Sequence, residues 1–403
     1  MASFVAALLL SAAASLAPTF PQDAHLRHAR ASNAFGVALF KELCSKTTDR
    51  NVVFSPASVS IALGMLYAGA SGKNLGELST VLGLSDAGLV DRDAVLSAYK
   101  SLVETKSANA TLDIANIVLI QKDFEVLEQY RKDVAKYFHA GALSVDFFRD
   151  AQRVAAEIND WVKKKTRGEI PKLLDVAPPM NTVAFLINAI YFKGMWETTF
   201  QDRDTKPLAF YNHGQDEVKV ATMSVRRRFG YAVVEELEAR ALEVPYAGDR
   251  FSMVVMLPNS RTGLSTVETR LTTDLVEKIA NRLTLRDVQL WLPKFKLQTE
   301  YDLVEPLRRL GLISAFGKGA DFSGISARND LQVSDVVHKA VVEVSEEGTV
   351  AAAVTAVRVS FKSGGFVRLP PPTPFRVEHP FAFYIWDKVD KRALFMGAIR
   401  SLQ

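Results

Sequence analysis

The sequence predicts an α+β fold built as one interleaved domain. Three observations lead there: helical periodicity runs through most of the first 165 residues, a nearly all-apolar run of strand formers follows at 182–192, and period-two patterns recur from there to the C-terminus. No Gly/Ser-rich linker, internal repeat or low-complexity tract divides the 403 residues, and the one proline cluster, Pro370-Pro371-Pro372, comes too late to be a domain boundary.

The elements can be justified in chain order. At 32–43, Phe35, Leu39 and Leu43 fall on one helical face. Ser55-Pro56 opens the next helix, with serine as N-cap and proline in the first turn, and Ile61, Met65 and Leu66 share its buried face. Helical spacing returns at 93–103, 125–138 and 151–165, and Gly168 stops the last of these. The run at 182–192 is apolar at nearly every position, which predicts a central strand covered on both faces. Further strands are predicted at 287–297, 333–344, 381–386 and 393–399.

Composition narrows the function. Hydrophobic residues make up 48% and charged residues 23%, enough for a large soluble core. The net charge of +4 is far from the concentrated basic charge of a nucleic-acid binder, so nucleic acid is not an expected partner. Lys163-Lys164-Lys165 with Arg167, and Arg226-Arg227-Arg228, read as solvated surface, with a heparin-like polyanion as the sharper alternative. No catalytic motif is present: there is no G-x-S-x-G elbow, H-E-x-x-H helix, phosphate loop or dinucleotide fingerprint. The six histidines are scattered, and Cys44 is the only cysteine. Neither an enzyme, a metal site nor a cofactor is therefore expected.

An apolar stretch from Phe4 to Leu10, followed by small residues, reads as a signal peptide over 1–17 with its end anywhere in 14–20, although no Lys or Arg precedes it. That reading predicts a secreted, extracellular protein, in which Asn109-Ala110-Thr111 marks Asn109 for glycosylation. No second segment is long and apolar enough for a membrane, and a monomer is expected.

Six motifs then occur in a fixed order: NVVFSPASVSIALGMLYAGASG (51–72), TVAFLINAIYFKGMWETTF (182–200), WLPKF (291–295), LGLISAFGKGADFSGIS (310–326), VVHKAVVEVSEEGT (336–349) and HPFAFYIW (379–386). Together they resemble the serpin family of serine protease inhibitors over essentially the whole chain from residue 18. The resemblance implies the serpin fold: helices packed around a large mixed central sheet, smaller antiparallel sheets, and an exposed reactive-centre loop spanning 346–374. It also implies that Ser55, Ser58, Asn188 and His338 form a polar cluster beneath the place where the central strands part, and that Lys294 and Glu346 meet at the top of the sheet beside Trp196. Residue chemistry agrees on one point: Asn188 interrupts an apolar strand, and a buried amide must find partners.

The loop carries the functional expectation. Gly348, Thr349, Val350, Ala351, Ala352, Ala353, Val354 and Thr355 are small and uncharged, and the alternate set from Thr349 to Val359 has no charge that would bar it from a core. By resemblance, 349–360 inserts as a new strand after cleavage. Roughly ten new backbone hydrogen bonds at about 1 kcal/mol net each would release on the order of ten kcal/mol, comparable with a whole domain's stability. Family spacing places the reactive bond between Lys362 and Ser363, and a basic residue there suits a trypsin-like protease. Phe361 favours trypsin, plasmin or kallikrein types over thrombin; Arg358 and Arg368 are fallback sites. The segment from Ser363 to His379 is longer than in many serpins, which bears on how the bait is presented. The alternative function is a non-inhibitory carrier or storage protein, whose relatives often carry charged or bulky hinge residues that this chain lacks.

Overall fold

The computed structural model describes residues 21–105, 110–328, 330–346 and 370–403. The first half runs α1 (Pro21–Lys46), β1 (Val52–Phe54), α2 (Pro56–Gly69), α3 (Gly72–Val81), α4 (Arg92–Val103), β2 (Ala110–Gln121), α5 (Glu128–Phe138), β3 (Gly141–Val145), α6 (Phe147–Lys165) and β4 (Ala184–Gly194). The second half runs β5 (Lys206–Asn212), β6 (Asp216–Val234), β7 (Ala239–Pro245), β8 (Phe251–Pro258), α7 (Leu264–Arg270), α8 (Thr273–Arg282), β9 (Thr284–Pro293), β10 (Phe295–Asp302), α9 (Val304–Arg309), β11 (Val333–Val344), β12 (Thr373–Arg376), β13 (Phe381–Asp387) and β14 (Arg392–Ile399).

The α+β expectation holds, and the strands form two sheets. A mixed five-stranded sheet has the order β10-β11-β4-β2-β3, with β11 and β4 paired in parallel at its centre. A nine-stranded sheet is antiparallel except where β12 runs parallel to β9. β4 is buried on both faces, as its apolar run requires. Ala184, Leu186, Ile190 and Phe192 join the main core with α2 and the larger sheet, whereas Phe185, Ile187, Ala189 and Tyr191 form a second core with α6. α2 is buried along its whole length, and Ser55 caps it by accepting from the Ser58 amide.

Some boundaries differ from expectation for identifiable reasons. α1 begins eleven residues before the periodic stretch (Pro21 rather than 32), because its first turns bury Ala29, Ala31, His28 and Ser32, small or polar residues that leave no apolar stripe. The strand expected at 287–297 is two strands in different sheets, separated at Lys294. Pro293 has no amide to give the ladder, the Lys294 amide makes a last bond to β6 at the Ala221 carbonyl (2.8 Å), and Phe295 is the first residue paired with β11.

Candidate functional site

The parallel pairing of β4 and β11 sets His338 opposite Asn188, directly above the N-terminus of α2. Four of the residues expected to cluster come together there, all essentially inaccessible to solvent. The Ser55 amide donates to His338 Nε2 at 3.1 Å, and the Ser55 hydroxyl donates to the Leu394 carbonyl at 2.6 Å. Asn188 Nδ2 donates to the Ser58 carbonyl at 3.0 Å and lies against the Ser58 hydroxyl, while Asn188 Oδ1 lies against His338 Nδ1.

These contacts determine the histidine's tautomer. The Ser58 carbonyl can only accept, so the Asn188 amide nitrogen faces it and Oδ1 faces His338. His338 therefore carries its proton on Nδ1 and accepts the Ser55 N–H at Nε2. A second proton on Nε2 would point at another donor. Burial disfavours that charge as well, pushing the imidazole down to about 3. The cluster thus holds the β4–β11 seam to the α2 cap through a neutral imidazole.

Asn116 on β2 is a fifth member, its Oδ1 taking the Asn188 amide. It was missed in the sequence, although the same signal was available: a lone amide inside the apolar run 114–120. Tyr301 on β10 stacks on His338 with ring centroids 6.4 Å apart, and its hydroxyl accepts the Val53 amide at 3.1 Å, linking the sheet edge to β1.

At the C-terminal end of the same seam, Lys294 Nζ lies 2.6 Å from Glu346 Oε2, and Thr205 Oγ1 donates to Glu346 Oε1 at 2.8 Å. Although burial alone would raise it, these partners hold the Glu346 carboxyl below the usual carboxylate range. Trp196 Nε1 donates to the Ser345 carbonyl at 2.8 Å, so the indole holds the backbone one residue before Glu346. Tyr246 stacks on Trp196 at 4.4 Å. That stack needs Gly194, where a Cβ would come within 2.5 Å of the Tyr246 ring.

The chain leaves this corner at Glu346 and is described again from Pro370, just before β12. The hinge residues Gly348 to Thr355, the bait pair Lys362 and Ser363, and Asn109 all lie outside the described residues.

The model of the family Serpin (serine protease inhibitor) matches residues 30–402. The chain belongs to the serpin family. Iripin-2 of Ixodes ricinus is 41% identical over 376 residues, covering 93% of each chain. Intracellular coagulation inhibitor 2 of Tachypleus tridentatus is 35% identical, covering 95% of this serpin and 96% of that protein. Among solved structures, mouse protein-Z dependent protease inhibitor superposes with a TM-score of 0.84 at 28% identity, covering 95% of this serpin and 99% of that chain.

One expectation is corrected here. The serpin was expected to be secreted and extracellular, but its relatives include an inhibitor named as intracellular, which points away from a secreted location. The sole cysteine, Cys44, is buried and free.

Proposed function

We propose that this serpin inhibits trypsin-like serine proteases as a suicide substrate, with Lys362 as the bait. The observation that carries the reading is the parallel β4–β11 seam, continued by a small and uncharged segment. β11 ends at Val344, and a chain that turned back beyond Glu346 would run antiparallel to β11 and, because β4 is parallel to β11, antiparallel to β4 as well. One parallel ladder would be exchanged for two antiparallel ones, which are slightly more stable per residue. The residues available for this, 349–360, have only Arg358 as a charge.

In this reading the protease serine attacks the Lys362 carbonyl. The Lys362–Ser363 bond breaks, Ser363 leaves with a new amino terminus, and Lys362 remains esterified to the protease. Insertion of 349–360 then carries the ester away from the bait position before water can hydrolyse it. Ser55, Ser58, Asn188 and His338 resist opening midway along the seam, and Trp196, Lys294 and Glu346 resist it at the end where insertion starts. The serpin is consumed in the process rather than regenerated.

Incubation with trypsin, followed by denaturing gels and mass spectrometry, tests the proposal. A stable covalent band and a released peptide beginning at Ser363 are expected. Clean cleavage with no complex would remove inhibition, and a peptide beginning elsewhere would remove Lys362 as the bait.

A further inference from the structure

The β4–β11 seam carries a second set of contacts on its other face, beneath α6. Successive strand residues alternate between faces, and Phe185, Ile187, Ala189 and Tyr191 of β4 pack on α6 together with Val341 of β11. Lys193 and Glu343 continue these two series. They stand directly across the seam, since the register pairs Tyr191 with Val341 and Phe192 with Val342. Their side chains meet with Nζ–Oε1 at 2.6 Å and are only 24% and 18% exposed.

Glu343 has another partner. Its Oε2 lies 3.4 Å from Lys296 Nζ on β10, which in turn lies 2.7 Å from Glu169 in the segment after α6. That segment is fastened to the sheet elsewhere. Arg167 reaches Asp113 of β2 at 3.1 Å, and Lys339 of β11 donates to the Lys172 carbonyl at 2.7 Å. Lys193 differs from Lys296, which has two carboxylate partners, because Glu343 is its only one among the described residues.

We propose that Lys193 and Glu343 form a clasp across the seam whose rupture helps to set the rate of loop insertion. A strand entering between β4 and β11 moves them from neighbouring strands, about 4.8 Å apart, to strands about 10 Å apart. Glu343 travels with β10 and keeps Lys296. Lys193 loses its only carboxylate partner among the described residues, and the uncharged segment 349–357 offers no replacement. The clasp is therefore made in the uncleaved protein and lost in the inserted one. Unlike the cluster around His338, it lies on the face that α6 covers, so it acts independently of the α2 cap. It matters only if the loop inserts, and to that extent it rests on the inhibitory reading.

The test compares wild type with Lys193→Met, Glu343→Gln and the double variant. The loop is cut by a metalloprotease, which forms no acyl ester and so is not trapped, and insertion is followed by tryptophan fluorescence, to which Trp196 beside the starting corner contributes with three other tryptophans. Lys193→Met should insert about fivefold faster, as expected for the loss of one part-buried pair. Adding Glu343→Gln should give little further gain. Melting should show coupling between the two positions before cleavage and none after it. Equal insertion rates, or coupling that persists after cleavage, would overturn the clasp, the latter marking the pair as ordinary structural support. If wild type inserts but traps no protease, the inhibitory reading fails while the clasp is still measured. If it does not insert at all, both fall.

Discussion

Acidification should weaken this serpin through His338, and the size of the effect follows from its surroundings. The folded imidazole is held down to about 3 by burial, against 6.5 in an open chain. Above pH 6.5 both states are neutral, and the contribution to stability is complete. As pH falls below 6.5 the unfolded chain takes up a proton that the folded protein cannot, so stability is lost progressively until pH nears 3. The loss at about pH 5 is about 2 kcal/mol, rising to about 4 kcal/mol near pH 3. His28 and His379 are also held below their ordinary values by burial and act in the same direction, so wild type alone cannot isolate the seam. His338→Gln can. It should start about 1–2 kcal/mol less stable at neutral pH, having lost the Nδ1–H donor to Asn188 Oδ1, and should then lose about 2 kcal/mol less than wild type on going to about pH 5. Urea unfolding followed by tryptophan fluorescence at the two pH values measures this difference. If both proteins lose the same stability, the neutral Nδ1–H imidazole is not what holds the seam.

Other outcomes follow from the same geometry. Lys294→Met leaves Glu346 with Thr205 alone, and because the lysine is 38% exposed the cost should be modest, about 1 kcal/mol; a melting temperature equal to wild type would show that the pair does not secure the start of the seam. Burial pushes the Cys44 thiol up to about 12, so it should resist maleimide in the folded protein and react within minutes in guanidinium, whereas rapid native labelling would contradict its burial. Thr349→Arg should turn the inhibitor into a substrate of trypsin, since an unpaired charge would have to enter the sheet; undiminished covalent complex would show that this position does not insert.

Much of the site was legible because its residues break local patterns. A lone amide in an apolar strand has to be satisfied by something, and Asn188 announced the buried cluster for that reason. Asn116 carried the same signal and was overlooked, since β2 itself was not recognised, although Ala110-Thr111-Leu112-Asp113-Ile114 alternates apolar and polar residues before the apolar run begins. The Ser55 cap was readable because capping is local chemistry, confined to four successive residues.

By itself, the sequence determined the α+β class, the doubly covered strand at the centre, the cap of α2 and the uncharged character of the segment from Gly348 to Val357. Each depends on short-range periodicity or composition, which the order of residues contains directly. Only the tertiary structure decided that β4 and β11 are parallel neighbours, that Lys193 faces Glu343 across them, and which nitrogen of His338 carries the proton. Those facts depend on register between strands about 150 residues apart in the chain. A slip of β11 by one position would turn its side chains over, placing Glu343 against the core and His338 beneath α6 while Lys193 and Asn188 stayed in place, so that neither pair could form.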